Sequence, residues 1–364
     1  MNVAIFLPNW VGDAVMATPA IAALRRHYSQ ARFLGVLRPY VRGVIDGSPW
    51  FEQLILSQGK GWAESVAGVA CRLRRARVDL AVLFTNSFRS AFIATLGGCR
   101  RIVGYARDRR SWMLTDPVPP LRDDAGRFLV APVIDAYNTL AMYLGTNDPG
   151  YQMQLFLTPG DRQQAEALWD RLRLNGQRVV LLNPGAAYGA AKHWPTEHWI
   201  RLAQQLVDEL QTRILVLCGP QERSLAQRIV ASAARPGVHS LAEEPLSLGL
   251  TKACVHRGDL LITTDSGPRH FAAAFGRPVV TLFGPTHIGW TETYFPKAIH
   301  LQEEVDCGPC QLRTCPLDHR CMTQLQPTAV FHAASQLLAA ASTASLTASQ
   351  GRSALPMQRT RRGA

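Results

Sequence analysis

Short apolar runs alternate with longer amphipathic stretches along most of this chain, in two successive series. Runs of strand length separated by helical stretches are typical of parallel strands joined by crossover helices. The first series predicts strands at Val3–Leu7, Arg32–Leu37, Gln53–Leu56, Leu80–Phe84 and Arg101–Gly104. The second series predicts strands that begin at Val179 and continue at Ile214–Cys218, Leu260–Thr263 and Val279–Phe283.

The two series indicate two α/β domains. A chain of 364 residues is too long for one typical core, and the polar helical stretch Gly160–Leu174 is the expected connection. We expect a first domain at 1–158 and a second at 159–342. Beyond Ala341 the composition turns to Ala, Ser and Thr, so residues 343–364 are predicted to be a disordered tail.

A polar turn, Thr264-Asp265-Ser266-Gly267-Pro268-Arg269-His270, separates two of the predicted strands. It combines an N-cap residue, a glycine and an early-helix proline, which predicts a strand, a tight turn and the start of a helix. At the carboxyl ends of parallel strands, free backbone N–H groups and the helix dipole favour an anion such as a diphosphate. A capped turn that binds nothing fits the same pattern.

A second loop, Pro184 to Pro195, follows the predicted strand at Val179 and consists largely of small residues. Small residues such as Gly185 allow backbone to approach a ligand closely, and Lys192 can place a point charge on a phosphate. Of the 39 basic residues 35 are Arg, so a lysine is an uncommon choice here. The alternative is an ordinary solvated loop lysine.

The first predicted strand leads into Asn9-Trp10-Val11-Gly12-Asp13 and an amphipathic helix. The glycine pattern G-x-G-x-x-G does not follow this strand, which counts against a dinucleotide-dependent oxidoreductase. Instead a carboxylate, Asp13, stands beside a glycine at the carboxyl end of the strand. Asp13 is either a helix N-cap or a general base that faces a cleft between the domains.

Four short segments occur in the order and at the spacing of a known family. They are Asn9-Trp10-Val11-Gly12-Asp13, Asn86-Ser87-Phe88-Arg89-Ser90-Ala91, Pro184-Gly185-Ala186 through Lys192-His193-Trp194-Pro195, and Asp265-Ser266-Gly267 with His270. From residue 1 to about Val330 the chain thereby resembles the ADP-heptose:lipopolysaccharide heptosyltransferases, glycosyltransferase family 9, and within them the heptosyltransferase II group. The resemblance implies an α/β fold of the GT-B type, with two Rossmann-like domains whose parallel sheets face a central cleft.

The resemblance also implies an activity and its residues. The activity is inverting transfer of a heptose from ADP-heptose to the inner core of lipopolysaccharide, with no cofactor required for catalysis. Asp13 would be the base and Lys192 would stabilise the departing diphosphate. The implied donor-binding residues are Gly185, Lys192, Glu222, Asp265, Ser266, Gly267 and His270, and the implied acceptor-binding residues are Asn86, Ser87 and Arg89. Glu222 is alternatively a first-turn helix residue, and His270 a packing residue.

Charge and the absence of targeting signals predict a cytoplasmic protein at a membrane surface. The formal net charge is +12, and residues 1–150 hold 18 basic against 11 acidic side chains. Half of these basic residues are Arg72, Arg74, Arg75, Arg77, Arg100, Arg101, Arg107, Arg109 and Arg110, which could form a face for anionic lipid or a phosphorylated glycolipid. An ordinary solvated basic surface is the alternative.

Membrane association should be peripheral. No apolar run is long enough to span a bilayer, and the apolar start is a short strand interrupted by Pro8 rather than a signal peptide. We therefore expect association with the cytoplasmic face of the inner membrane and an acceptor glycolipid of the lipid A-Kdo-heptose type. Nucleic acid is not an expected partner, because no recognised binding motif accompanies the charge.

Four cysteines, Cys307, Cys310, Cys315 and Cys321, lie within fifteen residues of one another. Four thiols this close could hold a structural zinc ion or an iron-sulfur cluster, although their spacing matches no standard pattern. The alternative is a set of free or redox-labile thiols, because a reducing cytoplasm disfavours disulfides.

Other functional classes also remain open. The chain could be a family member that uses another nucleotide sugar, a GT-B nucleotide-sugar epimerase or hydrolase, or a non-catalytic glycolipid-binding module. An epimerase or hydrolase requires several acids at the sugar, whereas only Asp13 is predicted near the first strand. The presence of Asp13, Lys192 and Asp265 counts against a non-catalytic role.

Overall fold

The computed structural model describes residues 1–350 apart from 59, 60, 121, 123, 125 and 128, with only the backbone described at 62 and 342–350. Six strands form a first sheet: β1 Asn2–Phe6, β2 Arg32–Leu37, β3 Gln53–Leu56, β4 Leu80–Leu83, β5 Arg101–Tyr105 and β6 Asp116–Val118. All neighbours are parallel, in the order β3-β2-β1-β4-β5-β6.

The second sheet repeats this arrangement. Its strands are β7 Val179–Asn183, β8 Arg213–Val216, β9 Val238–Ser240, β10 Leu260–Thr264, β11 Val279–Phe283 and β12 Ala298–Gln302. They lie parallel in the order β12-β11-β10-β7-β8-β9. Numbered within its own half, each sheet has the doubly wound order 3-2-1-4-5-6 of a Rossmann-like domain. The prediction of two parallel α/β sheets is confirmed.

Helices connect the strands and cover both sheets. They are α1 Val11–Met16, α2 Thr18–His27, α3 Arg42–Ile45, α4 Trp62–Arg75, α5 Phe88–Leu96, α6 Val133–Tyr143, α7 Pro159–Arg171, α8 Thr196–Leu210, α9 Arg223–Ala233, α10 Leu248–Arg257, α11 Pro268–Ala274, α12 Arg320–Thr323 and α13 Pro327–Gln350. In the part of the chain that the structure describes, no helix has the length and apolarity to cross a bilayer.

The first strand shows why the strands read as unbroken apolar runs. Val3 and Ile5 belong to one buried cluster, while Ala4 and Phe6 belong to another on the opposite face of the sheet. Because helices cover both faces, successive side chains are buried whichever way they point.

Three strands escape sequence prediction, and all three lie towards sheet edges: β6, β9 and β12. β6 and β9 have only three residues each, and β6 contains Pro117, which cannot donate a ladder hydrogen bond. β12 is only partly buried along its whole length. These three edge strands are shorter or less covered than the central strands, so they lack the apolar run on which the prediction depends.

The predicted connection is helical. α7 begins with a capping box in which Asp161 N donates to Thr158 Oγ1 (3.1 Å) and Thr158 N donates to Asp161 Oδ2 (3.0 Å). The domain limits around it stay predictions. At the other end, α13 continues past residue 342 to Gln350, so the first part of the predicted tail is helical, and residues 351–364 lie outside the described residues.

A buried lysine joins the two halves. Lys252 of α10 is fully buried, and its Nζ donates to the carbonyl oxygens of Phe156 (2.8 Å), Asp46 (3.1 Å) and Val44 (3.4 Å). Two of these acceptors lie at the carboxyl end of α3 in the first half, where the helix dipole favours a cation. Lys252 therefore fixes α10 of the second half onto α3.

The predicted site segments follow the central strands of the sheets. Asp13 comes after β1 and Asn86 after β4, and these two strands are neighbours in the first sheet. Lys192 comes after β7 and Asp265 after β10, which are neighbours in the second sheet. In each half this is the point where the strand order reverses, and ligands of open α/β sheets bind in the crevice there.

Candidate active site

Two glycines allow the halves to touch. A Cβ at Gly267 would lie 2.7 Å from Val11 Cγ1, and a Cβ at Gly12 would lie 2.8 Å from His270 Cδ2. Both distances are shorter than real carbon contacts, so a side chain at either position would push α1 and the start of α11 apart. This contact brings Asp13 from one half beside the Asp265 turn of the other.

The Asp13 side chain is partly buried at this contact, and no described residue donates a hydrogen bond to its carboxyl group. The pKa of Asp13 is raised from 3.8 to about 6, chiefly by burial and also by the negative charge of Asp265, while the positive charge of Lys192 acts in the opposite direction. The N-cap of α1 is Trp10, so Asp13 does not occupy the cap position. Its carboxylate is an unpaired base of near-neutral pKa.

Asp13 lines a cavity of about 330 Å³ on the first half. Asn86 and Ser87 line the same cavity, and Trp290 of the second half contributes to its wall. The remaining wall is mainly apolar and aromatic, with Trp10, Phe84, Leu129, Val133 and Tyr137 among its members. A cavity of this kind, with a base among apolar and hydroxyl-bearing side chains, suits one ring of a sugar.

A buried ion group lies on the other side of the contact between the halves. Lys192 Nζ donates to Asp265 Oδ2 (2.5 Å) and to the Asp265 carbonyl oxygen (3.0 Å). Arg269 Nη1 lies 3.3 Å from Asp265 Oδ1, and Thr286 Oγ1 donates to Oδ2 at 2.8 Å. Burial raises the pKa of Asp265, but the two cations lower it more, to about 2. Asp265 is therefore ionised and holds Lys192 in place.

The loop after β7 approaches Glu222 closely. Gly185 has no room for a Cβ, because the Glu222 carboxylate occupies that space, and the Gly185 carbonyl accepts from Thr264 Oγ1 (2.8 Å). Glu222 Oε2 accepts from Gly219 N (2.7 Å). One carboxylate oxygen of Glu222 thus caps the start of its helix, as expected of a first-turn residue. The same carboxylate group also faces the loop at Gly185.

The remaining residues of the polar turn differ in exposure. Ser266 is partly exposed, and its Oγ accepts from Asn183 Nδ2 (2.9 Å), which ties the turn to the end of β7. His270 is buried against Gly12, and burial together with the charge of Arg269 lowers its pKa well below 6.5. Its Nδ1 has no partner among the described residues. His270 is therefore a neutral ring that packs in the contact between the halves, which is the arrangement expected of a packing residue.

A buried arginine, Arg110, holds the loop of Thr85, Asn86 and Ser87, which we call the acceptor-side loop. The sequence predicts that this arginine belongs to the basic surface. Arg110 is completely buried, and Nη1 donates to the carbonyl oxygens of Thr85 (2.5 Å) and Ser87 (3.2 Å), while Nη2 donates to Asn86 Oδ1 (3.1 Å). Burial lowers the pKa of Arg110 to about 10. The prediction that Arg110 belongs to the basic surface is wrong, since the side chain is buried. Its neighbours Arg107 and Arg109 make the segment look like a run of exposed charge in the sequence.

Arg89 faces a second cavity of the first half, with a volume of about 610 Å³. Its Nη2 donates to Ser65 Oγ (2.5 Å) and to Ser57 Oγ (3.4 Å). Arg38, which the sequence analysis missed, lines the same cavity and lowers the pKa of Arg89, after the larger effect of burial. Asn86 and Ser87 line the Asp13 cavity and Arg89 lines this one, while a smaller cavity of about 140 Å³ has both Ser87 and Arg89 in its wall. The predicted acceptor residues therefore lie along adjoining cavities of the first half.

The four clustered cysteines are not gathered around one point. Among the described residues, no three His, Cys, Asp or Glu side chains come together as ligands of one ion. Cys321 is buried, with its sulfur against Gly284, whereas Cys307 and Cys310 are exposed. Cys307, Cys310 and Cys315 are nevertheless near enough to Cys321 for their charges to raise its pKa, after the larger effect of burial. All four are free cysteines, and metal binding by them stays a prediction.

Comparisons with known proteins agree with this geometry. A model of glycosyltransferase family 9 (heptosyltransferase) matches residues 66–320. A lipooligosaccharide heptosyltransferase 2 of Campylobacter jejuni is 26% identical over 349 residues, which cover 93% of this chain and 98% of that protein. Lipopolysaccharide heptosyltransferase 2 of Escherichia coli K12 is 28% identical over 312 residues, or 82% of this chain and 87% of that protein.

The fold agrees as well. The solved structure of E. coli ADP-heptose LPS heptosyltransferase II matches with a TM-score of 0.74 and 24% identity, covering 94% of this chain and 100% of that one. The predicted GT-B architecture is thereby confirmed. Since the family model covers well over half of the sequence, the chain belongs to glycosyltransferase family 9, the heptosyltransferases.

Proposed function

We propose that this glycosyltransferase moves a heptose from ADP-heptose to the inner core of lipopolysaccharide, with inversion at the anomeric carbon. The observation that carries the proposal is the unpaired Asp13 carboxylate, which faces a sugar-sized cavity beside the buried Lys192–Asp265 pair. Relatives named heptosyltransferase 2 extend over most of the chain, and the E. coli protein of the same fold is an ADP-heptose heptosyltransferase. Nothing in the family match favours an epimerase or a hydrolase.

Asp13 acts as the general base in this proposal. A pKa of about 6 leaves the carboxylate ionised at neutral pH, yet basic enough to accept a proton. It takes the proton of the acceptor hydroxyl while that oxygen attacks the anomeric carbon. Attack on the face opposite ADP breaks the bond to the diphosphate and inverts the configuration.

The second half holds the donor. Lys192 and the backbone N–H groups of Ser266 and Gly267 stabilise the diphosphate as ADP leaves, and Glu222 accepts hydrogen bonds from the ribose hydroxyls. Asp265 contributes to donor binding by positioning Lys192. Its carboxylate oxygens already accept hydrogen bonds from Lys192, Arg269 and Thr286. No cofactor is needed for this chemistry.

The first half receives the acceptor glycolipid. Asn86 and Ser87 contact the accepting sugar in the Asp13 cavity, and Arg89 together with Arg38 pairs with an acidic sugar of a lipid A-Kdo-heptose acceptor. We also propose that the enzyme works in the cytoplasm, bound peripherally to the inner membrane. The basic excess of residues 1–150 supports this placement.

Substitution of the base tests the mechanism. Asp13→Asn keeps the size of the side chain but removes its proton-accepting oxygen, so turnover should fall by roughly 10² to 10⁴ while donor affinity stays near that of the wild type. Steady-state kinetics with ADP-heptose and purified core glycolipid, alongside calorimetry of donor binding, measures both effects. In the wild type, kcat/KM should also fall below about pH 6, because protonation of Asp13 removes the base.

Asp208→Asn is the matched control. Asp208 is an exposed residue of α8 that pairs with Arg235 and has no part in the proposed site, so this variant should turn over at the wild-type rate. Wild-type turnover by Asp13→Asn would exclude Asp13 as the base. Absence of heptose transfer by the wild-type enzyme would contradict the proposed function as a whole.

A further inference from the structure

The cysteine-rich segment, residues 307–321, packs against the loop that carries Lys192. Tyr188 Oη donates to the Gln311 carbonyl oxygen (2.5 Å), Ala191 N donates to the Arg313 carbonyl oxygen (3.0 Å), and His319 Nε2 donates to the Ala191 carbonyl oxygen (2.7 Å). A Cβ at Gly189 would collide with the Arg313 carbonyl group. The backbone of Arg313 is therefore fixed beside the Lys192 loop.

The Arg313 side chain reaches the same aromatic ring as Lys192. Its guanidinium carbon lies 5.5 Å from the centroid of the Tyr188 ring, and Lys192 Nζ lies 4.7 Å from that centroid. Arg313 is exposed, and its guanidinium group makes no hydrogen bond or ion pair with any described residue. A fixed backbone thus presents an unpaired cation next to the proposed diphosphate site.

The charges already present at that site are partly balanced. Lys192 and Arg269 both pair with Asp265 in the buried ion group, and Asp13 is neutral once it has taken the acceptor proton, so the group carries one net positive charge. A nucleoside diphosphate leaves with at least two negative charges, which these paired cations do not neutralise. Stabilising the departing ADP therefore requires positive charge from outside the buried group.

We propose that Arg313 is a donor-binding residue whose guanidinium group pairs with the diphosphate of the nucleotide sugar. This inference rests on the proposed function, because it takes ADP as the leaving group. The planar fork of an arginine can bind two phosphate oxygens at once. In this role the cysteine-rich segment supplies a second cation to the donor site and holds the loop that carries the first.

Arg313→Ala tests the inference. A charged hydrogen bond typically contributes about 1.5–3 kcal/mol, so kcat/KM for the donor and the affinity for ADP should each fall by about ten- to a hundredfold. The KM for the acceptor and the urea midpoint of unfolding should not change, because the guanidinium group is exposed. Arg313→Lys should recover part of the lost affinity, since it restores the charge without the fork. The measurements are steady-state kinetics and calorimetry with ADP.

Arg320→Ala is the control within the same segment. Arg320 pairs with Asp318 on the surface, so its removal should leave ADP affinity at the wild-type value. Wild-type ADP affinity and donor kcat/KM in Arg313→Ala would overturn the inference, as would an equal loss in both variants. If the wild type bound ADP but transferred no heptose, the proposed function would fail, and calorimetry would still decide the role of Arg313.

Discussion

Asp13 and Asp265 show how two carboxylates, brought together by contact between the halves, acquire opposite properties. Asp13 has no hydrogen-bond donor among the described residues, and burial raises its pKa to about 6. Asp265 is shielded from water as well, but two cations and a hydroxyl lower its pKa to about 2. A base that must accept a proton and a carboxylate that must stay ionised are thus distinguished by their neighbours.

This difference predicts opposite effects on stability. The folded state favours protonated Asp13, so the cost of ionising it is absent below the unfolded pKa of 3.8 and complete above about pH 6. Two pKa units correspond to about 3 kcal/mol. Asp13→Asn should therefore increase the free energy of unfolding by up to about that amount at pH 7.5, and by little at pH 4. Urea denaturation at the two pH values measures this, and an equal change at both would contradict it.

Asp265→Asn should have the reverse effect in the same experiment. Its folded pKa lies below the unfolded value, so its stabilisation is present at neutral pH and is lost as the pH falls towards 2. The substitution would also leave Lys192 and Arg269 buried without their common partner. Loss of one partner of a buried ion pair costs about 3–5 kcal/mol, and this variant should be the less stable of the two at pH 7.5.

At the scale of strands, helices and loops, sequence prediction depends on burial. The central strands and the polar segments that follow them are predicted correctly, because a central parallel strand is apolar along its whole length. The edge strands β6, β9 and β12 are missed, since partial exposure or short length breaks that pattern. The positions of Arg38, Arg110 and Arg313 are missed too, because the residues they lie beside, such as Arg89, Thr85 and Tyr188, are distant in sequence and only the tertiary structure brings them together.

Arg110 offers a test at the scale of a loop. Arg110→Met keeps most of the side-chain volume but removes the donors that hold Thr85, Asn86 and Ser87. We expect a loss of about 3 kcal/mol or more in the free energy of unfolding, because buried acceptors lose their partner. The KM for the acceptor should rise while that for the donor stays unchanged, which steady-state kinetics on each substrate would measure.

Arg109→Met is the control for this loop. Arg109 is exposed and adjacent in sequence, so its substitution should alter neither stability nor the acceptor KM. If Arg110→Met changed the donor KM as much as the acceptor KM, the residue would support the whole enzyme rather than the acceptor-side loop.

For the whole molecule, the distribution of charge supports attachment to an anionic membrane. α4 presents Arg72 and Arg75 to solvent, and residues 1–150 hold more basic than acidic side chains, 18 against 11. Exposed charges attract anionic lipid but are screened beyond about 10 Å at 0.1 M salt. Binding to vesicles that contain anionic phospholipid should therefore weaken steeply as salt increases.

Sedimentation of the protein with such vesicles measures this binding. Replacement of Arg72 and Arg75 by Gln should weaken it, whereas the same change at Arg201 and Arg228, exposed on the second half, should not. Binding that is insensitive to salt, or equal weakening by both pairs of substitutions, would contradict attachment through the first half.

The contact between Gly12 and Gly267 has one more consequence for the molecule as a whole. Val11 and His270 already occupy the space that a methyl group would need at these positions, so even alanine acts as a spacer between the halves. A variant whose halves are separated in this way would keep every catalytic side chain, yet Asp13 would lie too far from the donor to act as the base. The distance between the base of the first half and the donor of the second half thus depends on the absence of a side chain at Gly12 and at Gly267. These two glycines determine how closely the two substrates can approach each other.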